Sequence, residues 1–392
     1  MKKRLLFLSA HCPARLSRHA ANKTVFRNLQ VLSQEYDVDL VTFRSRDYRS
    51  EPAEEVVKLC SSIRILDLTA LGRFSILAKG WSLPLLVAAR SRAGLERSIK
   101  EQVAARAYDR VHCEFGQMAQ YLKLCSGIRE RTVYLHDVMS QWAGRRILPE
   151  AWSRFFWKWE TARTRRWELA HYSQATRLYV PSDKDRHLLR ELGGGLDKLV
   201  QVVPLYYDHY AGHHGRPPPR GMAPPTAVFL GALGRPENRD AVIWLRDEVA
   251  PLVAKTISGF RVMVVGDDPS GKMARGATET LVFTGYVERL GEIFAQAHLA
   301  LLPVFVGAGV KVKVLECLAA GLPVVTTEVG AEGIEANAGD GLLVLPADAT
   351  RFAAKAVEIL SDQALCARLG EGAYRWGKRQ SRDQCSAFLR GV

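Results

Sequence analysis

The side chains best suited to chemistry lie between Leu301 and Gly333. The apolar run Leu299 to Val304 is short enough for a buried strand of a parallel sheet, and Gly307-Ala308-Gly309 follows it. Glycines at such a turn let the backbone approach a ligand without interference from a Cβ atom. From Val310 on, apolar residues recur at helical spacing, and Gly321-Leu322-Pro323 ends the helix. The pattern therefore predicts a strand, a glycine-rich turn and a helix.

This arrangement suits a ligand that combines a diphosphate with a ribose. A helix that starts directly after a glycine-rich turn offers N–H groups and the positive end of its dipole to an anion. Lys311 and Lys313 add positive charge beside that end, and Glu316, further along the helix, could accept two hydrogen bonds from a ribose diol. Each residue alone also fits a solvated surface side chain. Together they predict a nucleotide-sugar site.

The segment GAGVKVKVLECLAAGLPVVTTEVGAEGI, residues 307–334, resembles the donor site of family 4 glycosyltransferases, which are retaining enzymes of the GT-B type. It is most similar to a bacterial branch linked with exopolysaccharide synthesis. In the family pattern two glutamates stand eight positions apart. The second matches Glu316, the ribose ligand, whereas Ala308 occupies the position of the first. The resemblance implies a donor diphosphate held by Gly307, Gly309, Val310, Lys311 and Lys313, with Arg235 standing in for the family's basic residue after an earlier strand.

A second glycine-rich segment follows the predicted strand Phe260 to Val265. Residues Gly266 to Met273 nearly form the phosphate-binding loop of an NTPase. Met273, however, stands where the magnesium-binding Ser or Thr belongs, and no clear helix follows. The sequence therefore disfavours an NTPase. The resemblance implies instead that Gly266, Gly285 and Tyr286 lie near the nucleotide base.

The first half of the chain alternates short apolar runs with helical patterns. Such alternation predicts a parallel sheet with right-handed crossovers. No G-x-G-x-x-G motif follows any of these strands, so a dinucleotide-dependent oxidoreductase is disfavoured. The predicted strands are Arg4 to Ser9, Val38 to Val41, Ile63 to Leu66, Arg110 to His112, Thr132 to Leu135, Leu178 to Val180 and Val200 to Val203.

Polar residues follow several of these strands, where open α/β sheets bind ligands. His136 and Asp137 come directly after one strand, and His136 matches a family histidine that lies over the donor sugar. We predict that both are catalytic, although a loop-capping role is equally compatible with their position. Glu114 follows the strand that ends at His112 by the same logic. Asn22 and Lys23, in a predicted polar turn from Ser17, occupy the place of the family's diphosphate-contacting loop.

The charge of +14 is concentrated in one half of the chain. Residues 1–205 hold 35 Lys and Arg against 21 Asp and Glu, whereas the remainder holds 20 of each. This surplus predicts an anionic partner that meets only the first half. Aromatic and basic residues are mixed from Trp152 to Trp167, and apolar residues lie between basic ones from Arg73 to Arg92. Either segment is an interfacial helix on an anionic membrane or a core helix with a solvated basic face; we favour the membrane.

These patterns predict an α/β protein of GT-B fold, in which two Rossmann-like parallel-sheet domains face each other across a cleft. The predicted parts are an acceptor-binding domain at 1–207, a linker rich in Pro, Gly and His at 208–226, a nucleotide-sugar-binding domain at 227–375 and a tail at 376–392 that returns to the first domain. Seven cysteines without close pairs argue against disulfides and zinc. No apolar run is long enough to span a membrane.

The predicted reaction moves a sugar from a UDP- or GDP-sugar to a lipid-linked or polysaccharide acceptor. We expect no metal and no further cofactor. The expected location is the cytoplasm, peripherally on the inner face of the plasma membrane, without nucleic acid as a partner. Two alternatives remain at this point. One is a GT-B-like sugar-nucleotide epimerase or phosphorylase; the other is a non-enzymatic protein whose basic half binds nucleic acid.

Overall fold

A computed structural model describes residues 2–15, 17, 20–44, 53–67, 81–146, 151–205 and 224–380. Within these ranges the chain divides into two compact units, one up to residue 205 and the other from residue 224 on. Each unit has its own parallel sheet.

The first unit contains a seven-stranded sheet in the order β3-β2-β1-β4-β5-β6-β7, and every neighbouring pair is parallel. Leu5 to Leu8, at its centre, are completely buried, as expected for a strand covered on both faces. The strands are β1 (Lys3–Ser9), β2 (Tyr36–Arg44), β3 (Ser62–Asp67), β4 (Arg110–Glu114), β5 (Glu130–Tyr134), β6 (Arg177–Val180) and β7 (Val200–Val202). The helices are α1 (Ala20–Leu32), α2 (Glu54–Val57), α3 (Leu85–Ala88), α4 (Ala93–Ala105), α5 (Met139–Gly144), α6 (Ala151–Tyr172) and α7 (Asp183–Leu192), with 3-10 turns at Gly116–Cys125 and Leu196–Leu199.

The second unit contains a six-stranded parallel sheet in the order β10-β9-β8-β11-β12-β13, which is the Rossmann strand order. The strands are β8 (Thr226–Leu230), β9 (Arg261–Val265), β10 (Leu281–Gly285), β11 (Leu299–Leu302), β12 (Val324–Thr326) and β13 (Leu342–Val344). The helices are α8 (Pro236–Trp244), continued by a π-helical segment at Leu245–Val249, then α9 (Ala250–Ala254), α10 (Leu290–Phe294), α11 (Val312–Ala319), α12 (Glu328–Ala331), α13 (Ala349–Ser361) and α14 (Gln363–Arg379), with 3-10 turns at Ala274–Gly276 and Ala338–Asp340.

The predicted strands and their parallel pairing are confirmed, but three boundaries near the candidate sites are wrong. The turn predicted from Ser17 to Lys23 is already helical from Ala20, because two alanines favour a helix there. Strand β4 extends through Glu114. Helix α11 begins at Val312 rather than Val310, since Lys311, its N-cap, has an extended conformation with φ −85° and ψ 96°.

The aromatic and basic segment predicted at 152–167 forms most of α6. Its inward positions Ser153, Glu160 and Thr164 are buried, whereas Trp152 and Phe155 are 72% and 76% exposed. Of the second segment, only residues 81–92 are described, and they contain the short helix α3. In the part of the chain that the structure covers, no helix is both long and apolar enough to cross a membrane.

The predicted linker and the end of the tail lie largely outside the described residues, which omit 206–223 and 381–392. Thr226, predicted as the last linker residue, is instead the first residue of β8. Residues 376–379, predicted as the start of the tail, end helix α14. The six cysteines within the described ranges are free.

Candidate active site

The candidate donor residues of the second unit lie near the point where the strand order of its sheet reverses, between β8 and β11. Strand β8 lies beside β11 here, and later strands are added on opposite sides, which creates the crevice where open α/β sheets bind ligands. Helices α8 and α11 follow these two strands. The Nζ atom of Lys313 on α11 donates to Oδ1 of Asn238 on α8 at 3.0 Å, and it lies 4.6 Å from the ring centre of Phe229 on β8. Lys313 therefore connects the three elements at this point.

The ammonium group of Lys313 has an unusual environment. Burial disfavours its charged form, and the neighbouring charge of Arg235 acts in the same direction, so the pKa of Lys313 falls to about 7. A diphosphate bound beside it would supply the negative charge that this position lacks. The group is therefore suited to bind an anion.

The glycine-rich turn before α11 has the predicted backbone freedom. Gly307 and Gly309 have φ values of 146° and 69°. Lys311 is the N-cap of α11, where no side chain caps the helix, and its Nζ folds back to the carbonyl of Gly309 at 2.6 Å. Val310 lies in the turn, half-buried. The first N–H groups of α11 thus follow a turn that carries a lysine ammonium, as the sequence predicts for an anion site.

Glu316 and Arg235 differ in exposure. Glu316, in the second turn of α11, is only 7% exposed, so its carboxylate is not the solvated surface group that was the alternative. Arg235 is the N-cap of α8, and its guanidinium is exposed and pairs with Glu237 at 2.6 Å. Ala308, at the position of the family's first glutamate, is half-buried in the turn.

The two glycines predicted near the base lie side by side at the same edge of the sheet. The N–H of Gly266, after β9, donates to the carbonyl of Gly285, at the end of β10, at 2.9 Å. A Cβ atom on Gly266 would lie 2.0 Å from the carbonyl oxygen of Gly231, so only glycine fits between these strand ends. Tyr286 follows Gly285 directly. The predicted donor residues thus share one edge of the sheet, and their ligands stay a prediction.

A second polar cluster occupies the equivalent point of the first unit, where β1 lies beside β4. Glu114, the last residue of β4, is completely buried. Its Oε2 lies 2.6 Å from Nε2 of His136, after β5, and its Oε1 lies 3.0 Å from Nε2 of His112. Nδ2 of Asn28 on α1 donates to the same Oε1 at 2.8 Å. Four polar side chains from three elements therefore meet here; we call them the Glu114 cluster.

The Glu114 cluster keeps its carboxyl group ionised. Burial by itself raises the pKa of a carboxyl group, but the hydrogen bonds from His112 and His136 outweigh it and lower the pKa of Glu114 to about 2. Burial also lowers the pKa of His112, so this imidazole is neutral at pH 7. The ring of His136 stacks on Phe115 at a centroid distance of 3.8 Å. Phe115 has a φ of 76°, the only positive value at a non-glycine residue in the described ranges, and such strain tends to occur at functional sites.

Sequence reasoning identified His136 and Glu114 but missed Asn28 and His112. His112 stands two residues before Glu114 on β4, so both side chains point to the same face, and this alternation was an available signal. No local signal marks Asn28, which is 86 residues from its partner. Lys23 lies, like Asn22, in the first turns of α1. Asn22 is buried, and neither polar atom of its side chain has a hydrogen-bond partner among the described residues.

Helix α6 contacts the start of α5, directly after the loop that carries His136 and Asp137. Oε1 of the fully buried Glu168 accepts a hydrogen bond from the N–H of Ser140, in the first turn of α5, at 3.2 Å. Burial raises the pKa of Glu168 to about 7, and the negative charge of Asp137 adds to this effect. In the ranges described, no group of three or more His, Cys, Asp or Glu side chains is arranged to hold a metal ion.

Comparisons with known proteins agree with this architecture. Residues 224–362 match the family model for Glycosyl transferases group 1. Over 87% of each chain, this sequence is 22% identical to an uncharacterized 44.6 kDa protein in the cps region of Klebsiella pneumoniae. It is also 32% identical over 133 residues to an exopolysaccharide phosphotransferase of Streptomyces coelicolor, a stretch that covers 32% of this chain and 14% of that protein.

Solved structures with the same fold cover nearly the whole chain. Sucrose-phosphate synthase from Thermosynechococcus elongatus matches with a TM-score of 0.69 and 16% identity, over 99% of this chain and 98% of that one. HepE from Anabaena, solved in complex with UDP-glucose, matches with a TM-score of 0.66 and 13% identity, over 99% and 100%. The fold is therefore GT-B. Together with the family match over residues 224–362, it supports a glycosyltransferase over the non-enzymatic alternative.

Proposed function

We propose that this glycosyltransferase moves a sugar from a UDP- or GDP-sugar to a lipid-linked or polysaccharide acceptor in the synthesis of a bacterial surface polysaccharide. It would act as a retaining, metal-independent enzyme of family 4, in the exopolysaccharide branch. The observation that carries the proposal is the position of Lys313, a partly desolvated cation at the start of α11 and at the reversal point of the sheet. Such a group favours a diphosphate over a neutral ligand.

In this proposal the second unit binds the nucleotide. The backbone around Gly307, Gly309 and Val310 and the ammonium groups of Lys311 and Lys313 neutralise the departing diphosphate, with Arg235 nearby. Preorganised positive groups aimed at a developing charge are usually the largest contribution to catalysis. Glu316 accepts hydrogen bonds from the ribose diol, and Gly266, Gly285 and Tyr286 contact the base. Because the side chain of Ala308 cannot bind a sugar hydroxyl group, other polar side chains are needed to hold the sugar.

The Glu114 cluster supplies the polar groups for that task. His136 and Asp137 contact the donor sugar, and Asn22 and Lys23 contact the diphosphate. A stacked and hydrogen-bonded imidazole such as His136 needs little reorganisation to bind a hydroxyl group, which supports a role in positioning the reacting sugar.

The acceptor is proposed from the names of two similar proteins. The Klebsiella relative is named for its position in a cps region, and the Streptomyces relative for exopolysaccharide. Both names fit a polymer or a lipid-linked precursor better than a small soluble acceptor. An enzyme with such an acceptor would work on the inner face of the plasma membrane.

The exposed face of α6 supports contact with that membrane. Trp152, Phe155 and Trp159 recur at helical spacing and are exposed, and Trp81, whose carbonyl accepts a hydrogen bond from Arg163 of the same helix, is 88% exposed. Arg154, Lys158 and Arg165 are exposed on the same helix, whereas both of its acidic residues are buried. We call this face the aromatic-basic face of α6. Aromatic rings at the headgroup level and arginines near phosphates are the features of an interfacial helix.

Calorimetric titration with UDP, GDP, ADP and their sugar conjugates tests the donor site. We expect selective binding of one nucleotide, and about tenfold weaker binding by Glu316→Gln, because hydrogen bonds to a charged group contribute about 1.5–3 kcal/mol. Glu371→Gln, an exposed carboxylate on α14, is the matched control and should bind normally. Absence of binding at millimolar nucleotide, or equal affinity of the Glu316 variant, would refute the donor site.

A further inference from the structure

The proton positions in the Glu114 cluster follow from the chemistry of its members. An ionised carboxylate only accepts hydrogen bonds, so each partner of Glu114 must donate. Oε1 receives Nδ2–H of Asn28 and Nε2–H of His112, and Oε2 receives Nε2–H of His136. Both imidazoles therefore carry a proton on Nε2.

The next contacts agree with this assignment. His112 is neutral because it is buried, so its Nδ1 must accept. Nδ1 lies 2.9 Å from Oγ1 of Thr132, whose hydroxyl group donates to it, and that Oγ1 accepts Nε–H of Arg110 at 3.1 Å. The carbonyl of Val111 lies further from the same hydroxyl oxygen, at 3.2 Å. In this chain of hydrogen bonds Arg110 donates to Thr132, Thr132 donates to His112, and His112 donates to Glu114.

We propose that Glu114 is a positioning residue that holds His136 as its Nε2–H tautomer, so that Nδ1 is presented as a hydrogen-bond acceptor to a hydroxyl group of the sugar substrate. Phe115, stacked on the ring, fixes the plane in which Nδ1 points. The side chain of His136 is 11% exposed, and Nδ1 has no hydrogen-bond partner among the residues that the structure describes. The identity of the ligand as a sugar rests on the proposed function, whereas the tautomer does not.

The tautomer can be measured in the unmodified protein. Nitrogen-15 NMR of the imidazole rings distinguishes a protonated from an unprotonated nitrogen, and the spectrum of His136→Gln identifies the signals of His136. We expect the Nε2 of His136 to be protonated and its Nδ1 to be unprotonated at pH 7.5 without ligand. A proton on Nδ1 instead would overturn the proposal, whatever the protein binds.

Glu114→Gln tests the role of the carboxylate. The amide oxygen of this variant must still accept from Asn28 and His112, so its NH₂ group faces Nε2 of His136 and should drive that ring to the Nδ1–H tautomer. We expect the NMR signals to exchange roles and the affinity for the nucleotide sugar to fall about tenfold, while the affinity for the nucleoside diphosphate alone stays the same. An unchanged tautomer, or equal losses for both ligands, would overturn the proposal.

Asp39→Asn is the matched control. Asp39 is a buried carboxylate of β2 in the same sheet, and it accepts hydrogen bonds from Arg106, Tyr108 and Ser62. Its amide variant should lose stability but keep both the His136 tautomer and the preference for the sugar conjugate. If no nucleotide sugar binds the unmodified protein, the proposed function fails, and the NMR result still decides the tautomer. If Glu114→Gln does not fold, the measurement on the unmodified protein decides alone.

Discussion

At the scale of single residues, the notable groups are charged side chains held away from water. Lys313, Glu114 and Glu168 have pKa values of about 7, 2 and 7. Each departs from its ordinary value for a different reason: desolvation of a cation, hydrogen bonds from two imidazoles and desolvation of an anion. Groups of this kind cluster at functional sites more often than elsewhere.

Lys313 should make donor binding depend on pH. Its ammonium group is half-protonated near pH 7 in the free protein, and a bound diphosphate favours the protonated form. Affinity for a nucleotide sugar, whose diphosphate does not titrate near neutrality, should therefore fall as the pH rises from 7 to 9. Titrations in buffers of different ionisation enthalpy should show proton uptake. Lys313→Arg stays charged throughout and should remove the pH dependence; a flat profile in the unmodified protein would contradict this role.

Glu168 should lower stability at neutral pH. Because its pKa is higher in the folded state than the ordinary value of 4.5, its contribution to stability is fully present below that value and is lost as the pH rises toward 7. Glu168→Gln keeps an oxygen for the N–H of Ser140 but cannot ionise. The melting temperature of the variant relative to the unmodified protein should be higher at pH 8 than at pH 5. The same difference at both pH values would show that Glu168 is not titrating.

At the scale of elements, each candidate site lies where the strand order of a parallel sheet reverses: between β1 and β4 in the first unit and between β8 and β11 in the second. The crossovers place α8 and α11 beside each other in the second unit, and they place α1 next to β4 in the first. In the second unit the backbones that follow β8 and β9 approach each other closely at Gly231 and Gly266. Gly266 permits this approach because it has no Cβ atom.

Gly266→Ala tests the close approach of the strand ends. The added methyl group would lie 2.0 Å from the carbonyl oxygen of Gly231, and neither backbone can move without breaking sheet hydrogen bonds. We expect a loss of about 1–3 kcal/mol in the free energy of unfolding, measured by chemical denaturation, together with weaker nucleotide binding. Gly127→Ala, where a Cβ atom meets nothing within 4 Å, should have little effect. Similar stabilities of the two variants would exclude this packing argument.

At the scale of the whole molecule, the charge is divided unequally along the chain. The entire surplus of 14 positive charges belongs to residues 1–205, and residues 206–392 are balanced. The aromatic-basic face of α6 belongs to the charged half. This division agrees with the proposal that the first unit meets an anionic surface.

Sedimentation with lipid vesicles tests that division. The protein should bind vesicles that contain an anionic phospholipid and should bind neutral ones weakly, and binding should weaken with salt. Joint substitution of Trp152, Phe155 and Trp159 by serine should reduce binding at least tenfold, because each aromatic ring buried at the interface contributes apolar area. Val57→Ser, an exposed apolar residue on α2, is the control. Unchanged binding by the triple variant would place the contact elsewhere.

The sequence by itself determined the class of fold and most of the strand, turn and helix between Leu299 and Ala319. Strands such as β1 and β11 and the turn at Gly307 to Gly309 are readable because their signals are local: short apolar runs, glycines at a tight turn and helical spacing. The boundaries it missed, at Ala20 and Val312, depend on which residue of a short turn adopts the first helical conformation. Such boundaries are decided by one or two residues.

Only the tertiary structure decided which side chains meet. Lys313 and Asn238 are 75 residues apart, and Glu114 and Asn28 are 86 residues apart. Parallel strands require long crossovers, so neighbours in the sheet are distant in the sequence, and no local pattern encodes their pairing. Burial likewise appears only when the chain is folded. It makes Lys313 a cation with a low pKa and Glu114 a fixed acceptor, and these two properties give the glycine-rich turn and the strand-end histidine their proposed roles.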